Sequence, residues 1–126
     1  MEHQFYHISV RAEVQFVTEQ SAPEQNRYVF AYTITIENTG SITAQLLNRH
    51  WLITDGNGKV QEVRGAGVVG EQPLLEPGEA FEYTSAAVIE TAHGTMEGEY
   101  EMIAEDGTRF DAEIEPFSLS MSAYLH

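Results

Sequence analysis

YVFAYTITIEN, residues 28–38, alternates Tyr28, Phe30, Tyr32, Ile34 and Ile36 with Val29, Ala31, Thr33, Thr35 and Glu37. A period of two is that of a strand with one buried face, and β-branched and aromatic side chains fit a pleated surface. Upstream, Ile8, Val10, Ala12, Val14 and Phe16 repeat the pattern around Ser9, Arg11, Glu13 and Gln15, which predicts a first strand over 8–16. Between these two strands Gln20 to Asn26 is a polar loop. Downstream, Asn38-Thr39-Gly40-Ser41 has turn chemistry, and 44–54 reads as a strand with Leu47, Trp51 and Ile53 on one parity. Arg49 shares that parity. A bulge near Asn48 must re-aim it, or a carboxylate at the core edge must receive it, because an unpaired buried guanidinium is prohibitively costly.

Asp55-Gly56-Asn57-Gly58 predicts a hairpin turn into a short strand at 60–63, since Asn and Gly accept the positive φ of tight turns. Arg64 to Gly78 reads as irregular, holding four glycines with Pro73 and Pro77, and no helix fits there. Strands follow at 80–88, 95–103 and 108–119. Pro116 cannot donate to a ladder, so it requires a sheet edge or a bulge. About seven strands with turn signals between them and no amphipathic helix predict an all-β chain. The leading architecture is an antiparallel β-sandwich of the immunoglobulin or fibronectin type III kind, with a small barrel second. One domain spans 1–126, with 1–7 and 121–126 as tails. Without cysteine, Trp51 must pack on aliphatic and aromatic neighbours alone.

The 126 residues carry 20 acidic and 6 basic side chains, a formal charge of −14, with 42% hydrophobic residues. A chain this apolar is no disordered acidic tail, and six cations cannot neutralise a row of phosphates. Nucleic acid and anionic membranes are therefore poor partners. No apolar run approaches the ~20 residues of a membrane span. The opening MEHQFYHISV lacks a secretion-signal profile, so the expected compartment is the cytoplasm.

Acidity is concentrated in residues 64–126, with 13 acidic against 2 basic side chains. If Glu105-Asp106-Gly107 is a three-residue loop, Met102 opposes Phe110, Tyr100 opposes Ala112 and Gly98 opposes Ile114 on the core face. On the solvent face Glu101 then opposes Asp111, Glu99 opposes Glu113, and Glu97 opposes Glu115. Such a ladder has two readings. It is a solvated face that discourages edge pairing, or it gathers hard oxygen ligands for a divalent cation or a basic partner.

Gly65, Gly67 and Gly70 match the spacing G-x-G-x-x-G. A dinucleotide fingerprint needs a helix opening inside the glycines, and Pro73 with Pro77 prevents one, so that reading is rejected. A phosphate cradle of backbone amides with Arg64 beside it stays open, and Arg49 is a second candidate anion anchor. The histidines, His3, His7, His50, His93 and His126, show no firm ligand spacing. Asp55 to Lys59 resembles the start of a calcium loop, but Lys59, Val60 and Ala66 occupy its ligand, glycine and closing-glutamate places. No nucleophile elbow or other catalytic signature occurs, so no enzymatic activity is expected.

Three stretches, YVFAYTITIEN (28–38), HWLITDGNGKVQEVRGAGVVGEQPLLEPGEAFEYTS (50–85) and GTMEGEYEM (94–102), closely resemble the bacterial ApaG family, also called CorD. The resemblance implies a fibronectin type III-like sandwich and an association with cobalt resistance and magnesium efflux. Related domains in eukaryotic F-box proteins and a polymerase-delta-interacting protein look like protein-binding modules. It also places the family's glycine motif, a suggested pyrophosphate site, on Gly65, Gly67 and Gly70. The acidic ladder lies outside what the resemblance explains. The combined expectation is a non-enzymatic module for an unidentified protein partner, with a homodimer left open and no resident cofactor required. The alternative is a small-ligand protein. It would take a pyrophosphate compound at the glycine loop, or a divalent cation at Glu97, Glu99, Glu101, Asp111, Glu113 and Glu115.

Overall fold

In the computed structural model, which describes residues 5–121, the chain forms eight strands. These are β1 (Ile8–Phe16), β2 (Tyr28–Asn38), β3 (Ala44–Asp55), β4 (Val60–Ala66), β5 (Leu74–Leu75), β6 (Ala80–Ile89), β7 (His93–Ala104) and β8 (Arg109–Ser120). One antiparallel sheet has the order β1-β2-β6, and the other has β4-β3-β7-β8 with β5 also pairing β3. The two face each other as the expected sandwich. Residues 5–7, part of the expected N-terminal tail, lie along the Asn38–Ser41 turn. Ser41 donates to the Phe5 carbonyl at 3.1 Å and Thr39 to that of His7 at 3.1 Å. The rest of both expected tails, with His3 and His126, lies outside the described residues.

Alternation in β2 buries Phe30, Ile34 and Ile36 completely. Across the core lie Leu46, Met96, Tyr100 and Met102 from the second sheet, also buried. Each such side chain contributes roughly 1.5–3 kcal/mol of transfer free energy. Trp51, 2% exposed, packs edge-on against Tyr32, Tyr100 and Phe117 at centroid distances of 5.5, 6.2 and 6.0 Å. Between the sheets, Tyr83 of β6 meets Tyr100 of β7, hydroxyl to hydroxyl at 2.6 Å. Burial pushes both phenols well above their ordinary range, so the pair stays neutral.

The single parity expected for 44–54 is corrected by a bulge. Leu46 pairs Met102 while Asn48 pairs Glu101, leaving Leu47 as an extra residue. Ala44 and Leu46 point inward before it, and Trp51 and Ile53 after it. Leu47 itself is only partly buried. The expected 60–63 strand runs on to Ala66, because Arg64 pairs His50 and Gly65 pairs Arg49. The β7–β8 hairpin has the expected register from Met102↔Phe110 to Gly98↔Ile114, with Gly107 at φ 89° closing the loop. Beyond Gly98 the expected Glu97–Glu115 opposition is lost. Met96 pairs Phe117, so β8 holds an extra residue there, at the bulge that Pro116 demanded.

Two buried polar residues organise turns. The Asn38 amide donates to the carbonyls of Ile42 and Leu75, both at 2.9 Å, and its oxygen accepts from Gly40. Asp55 accepts from the amides of Asn57 and Lys59, each at 2.9 Å. β7 approaches β3 so closely at Gly98 that a Cβ there would lie 1.9 Å from the His50 carbonyl oxygen. Backbone on both sides prevents relief. Gly98→Ala should therefore cost about 3 kcal/mol in urea unfolding. Gly58→Ala, with open space around a φ of 85°, should cost about 1 kcal/mol.

Candidate functional site

The glycine pattern builds one object with Arg49. Because Arg49 lies two residues past the bulge, it stays on the inward parity, and neither expected escape is taken. Its Nη1 donates to the carbonyls of Ala66 at 3.1 Å and Gly67 at 2.9 Å. The charge is met by backbone dipoles where β4 ends. Gly65 lies directly over this guanidinium, since a Cβ there would be 2.8 Å from Nη1 and Nη2. Gly67, at φ 66°, would place a Cβ 2.3 Å from the Glu71 carbonyl oxygen. Val68 and Glu71 exchange both backbone hydrogen bonds, at 2.8 and 2.9 Å, around a two-residue tip. Val69 and Gly70 form that tip with φ of 42° and 81°, the signs of a type I′ turn.

Each glycine therefore has a structural duty; the amides of Val68 and Glu71 are engaged with each other's carbonyls across the loop, and that of Gly67 with the Leu47 carbonyl of β3 at 2.8 Å. Arg64 and Gly65 are strand residues, not loop residues. Arg64 points to the outer face of the second sheet and donates to Glu62 at 2.9 Å. Val69 is anomalous. A β-branched side chain at positive φ is strained, and it stands 57% exposed at the tip, with Leu74 nearby in sequence at 62%.

The outer face of the β4-β3-β7-β8 sheet carries the acidic residues. His50 Nδ1 lies 2.7 Å from Glu99 and its Nε2 2.7 Å from Glu62, so one imidazole bridges two carboxylates. The bond to Glu99 and then that to Glu62 raise the His50 pKa above 6.5, and His50 in turn, ahead of Arg64, lowers that of Glu62. Glu101 accepts from Asn48 at 2.6 Å and Arg109 at 3.1 Å, which hold its carboxyl below the ordinary range. A hollow of about 500 Å³ on this face is lined by Asn48, His50, Arg64, Glu99, Glu101 and Asp111. A phosphate at Arg64 would meet those carboxylates.

Glu99 faces Glu113 and Glu101 faces Asp111 across the strands, whereas Glu97 and Glu115 are separated by the Pro116 bulge. Among the described residues, no three histidine or carboxylate side chains group closely enough to hold a metal ion. A second cleft, of about 560 Å³, separates the edges β1 and β8 beside Tyr6, Val10, Phe110 and Glu113. His50 was passed over in the sequence because its partners lie on other strands. Among the described residues, no helix is long and apolar enough to cross a membrane.

Linkage fixes the pH behaviour of the bridge. His50, raised, contributes stability fully present below pH 6.5 and lost as pH rises through its folded pKa. Glu62, lowered, contributes stability present above pH 4.5 and lost as pH falls through its folded pKa. The bridge is therefore strongest between those limits. Replacing the imidazole by His50→Gln should destabilise the chain more at about pH 6 than at about pH 9, measured by urea midpoints at each pH.

A profile of the ApaG domain matches residues 18–104, from the end of β1 through β7. It includes the glycine loop and His50 but stops before Asp111, Glu113 and Glu115. Protein ApaG of Dechloromonas aromatica is 61% identical over 121 residues, covering 96% of this chain and 95% of that one. Protein ApaG of Pseudomonas putida is 58% identical, covering 96% of each. The crystal structure of the putative ApaA protein from Bordetella pertussis superposes with a TM-score of 0.92 at 52% identity, covering 95% of this chain and 98% of that one. With the sandwich, the clasped glycine loop and identity of this extent in agreement, the chain belongs to the ApaG family.

Proposed function

We propose that this chain is a non-enzymatic, cytoplasmic protein-binding module whose docking element is the loop between β4 and β5. The observation that carries this reading is Val69. A valine at φ 42° costs of order 1–3 kcal/mol, whereas Asn or Gly would occupy the first position of a type I′ turn without that strain. The Arg49 clasp and the Val68–Glu71 bonds hold the loop against that cost and present an apolar knob to solvent. Leu74, 62% exposed, opens β5 at the end of that loop and adds a second exposed apolar side chain. Contact residues placed on a loop by a rigid sheet are the usual arrangement for recognition. The link with cobalt resistance and magnesium efflux that the family resemblance implies would then run through the partner.

The loop amides engaged internally and the carboxylates around Arg64 leave the pyrophosphate alternative without a specific favouring observation. Gly67→Ala is a poor probe of either reading, because its Cβ would collide with Glu71. Val69→Asn is the clean one. It should raise stability by about 1 kcal/mol while abolishing capture of partner proteins from bacterial lysate by the immobilised chain. Leu74→Ser should weaken the same captures. Captures indifferent to both changes would refute the docking role. Heat on titration with magnesium, cobalt or diadenosine tetraphosphate would favour the small-ligand alternative.

A further inference from the structure

We propose that two copies of this chain pair antiparallel through β4, joining their five-stranded sheets into one continuous sheet across a two-fold axis at Val63. β4 ends its sheet, pairs β3 without a register shift from Thr54↔Val60 to Asn48↔Ala66, and contains no proline, lysine or bulge. Those are the devices that normally blunt an edge strand. The hydrogen bonds from Asp55 to the Lys59 carbonyl and from Gly67 to the Leu47 carbonyl bracket the β3–β4 ladder. Alternation between them turns the backbone groups of Gln61, Val63 and Gly65 toward β3, and those of Val60, Glu62, Arg64 and Ala66 outward. The outward set is what a further strand added at this edge would bond.

One register of self-pairing uses all of it, with the Ala66 carbonyl accepting a second hydrogen bond beside the one from Arg49. With Val63 on the axis, Glu62 faces Arg64 of the second copy and Arg64 faces its Glu62, while Val60 faces Ala66 at both ends. These side chains share the outer face, where Arg64 already pairs His50 in the ladder, so each new row continues an existing one. Charge is complementary in every charged pair, and Val60, 56% exposed, gains an apolar neighbour. A slip of two residues either way sets Glu62 against Glu62 or Arg64 against Arg64. A slip of one turns bonding groups toward non-bonding ones. Self-pairing through β8 would instead bring together strands carrying Asp111, Glu113 and Glu115. This surface is separate from the Val69 loop tip, so the two readings fail independently.

Sedimentation of the whole chain over about 1 μM to about 1 mM should show a reversible dimer. Glu62→Arg alone, or Arg64→Glu alone, makes both cross-axis pairs repulsive and should weaken it by about 30-fold. An equimolar mixture of these two variants restores complementarity and should dimerise as the wild type does, which also shows that both fold. Val63→Cys should form an intermolecular disulfide in a chain that otherwise has no cysteine. The two residues of a non-hydrogen-bonded antiparallel pair lie about 4.5 Å apart at Cα, within disulfide reach. A wild type monomeric across the whole range, a dimer indifferent to the reversals, or no rescue on mixing would overturn the pairing.

Discussion

The extra residue at Leu47 is the constraint on which the second sheet depends. Before it the even positions of β3 face the core, and after it the odd ones do. Had Leu46's parity continued, His50 and Leu52 would point inward and Trp51 outward. That would desolvate an imidazole and forfeit the aromatic cluster of Tyr32, Tyr100 and Phe117. The same shift has a cost, because Arg49 becomes inward-facing. It is tolerable where β3 meets the end of β4, since the Ala66 and Gly67 carbonyls lie within reach and water is close by.

From that clasp the rest of the loop follows. A guanidinium across the inner face of β4 requires Gly65, the return of the chain toward Leu47 requires Gly67 at positive φ, and the two-residue tip requires Gly70. Each glycine of a pattern that resembles a nucleotide fingerprint thus has a local structural reason: Gly65 in the Arg49 guanidinium, Gly67 in the Glu71 carbonyl, and Gly70 in the positive φ of the turn. The single residue in the tip that packing does not justify is Val69, which keeps a strained, exposed conformation that Asn or Gly would hold at less cost.

Strand positions were legible in the sequence because one face of each strand is buried, so period and turn chemistry agreed. The β7–β8 register followed from a three-residue loop, and Pro116 announced a break in pairing. What was not legible was non-local. A bulge near Asn48 is one of the two ways the sequence offers of dealing with Arg49, but its place at Leu47 and the parity it sets come from pairing with β7, and the two-residue β5 is too short to show any period. β4 extends past Val63 because Arg64 and Gly65 find partners on β3. Asn38 looked like turn chemistry, yet it is buried and ties Ile42 to Leu75. His50 gained its role from Glu99 and Glu62, neither adjacent to it in sequence.

The acidic hairpin is then a contest between two magnitudes. Opposed carboxylates at Glu99–Glu113 and Glu101–Asp111 weaken the pairing by a few tenths of a kcal/mol or more each. Directly beneath them Met102 and Tyr100 are fully buried, with Ala112 and Ile114 nearly so, and burial of each large apolar side chain contributes about 1.5–3 kcal/mol. Burial wins without a counterion. His50 and Arg109 contact the two central glutamates, while Asp111, Glu113 and Glu115 line β8, the edge strand of that sheet. A row of carboxylates on that edge disfavours pairing with a second such edge or with an anionic surface, whereas on the opposite edge strand Glu62 and Arg64 alternate acid and base.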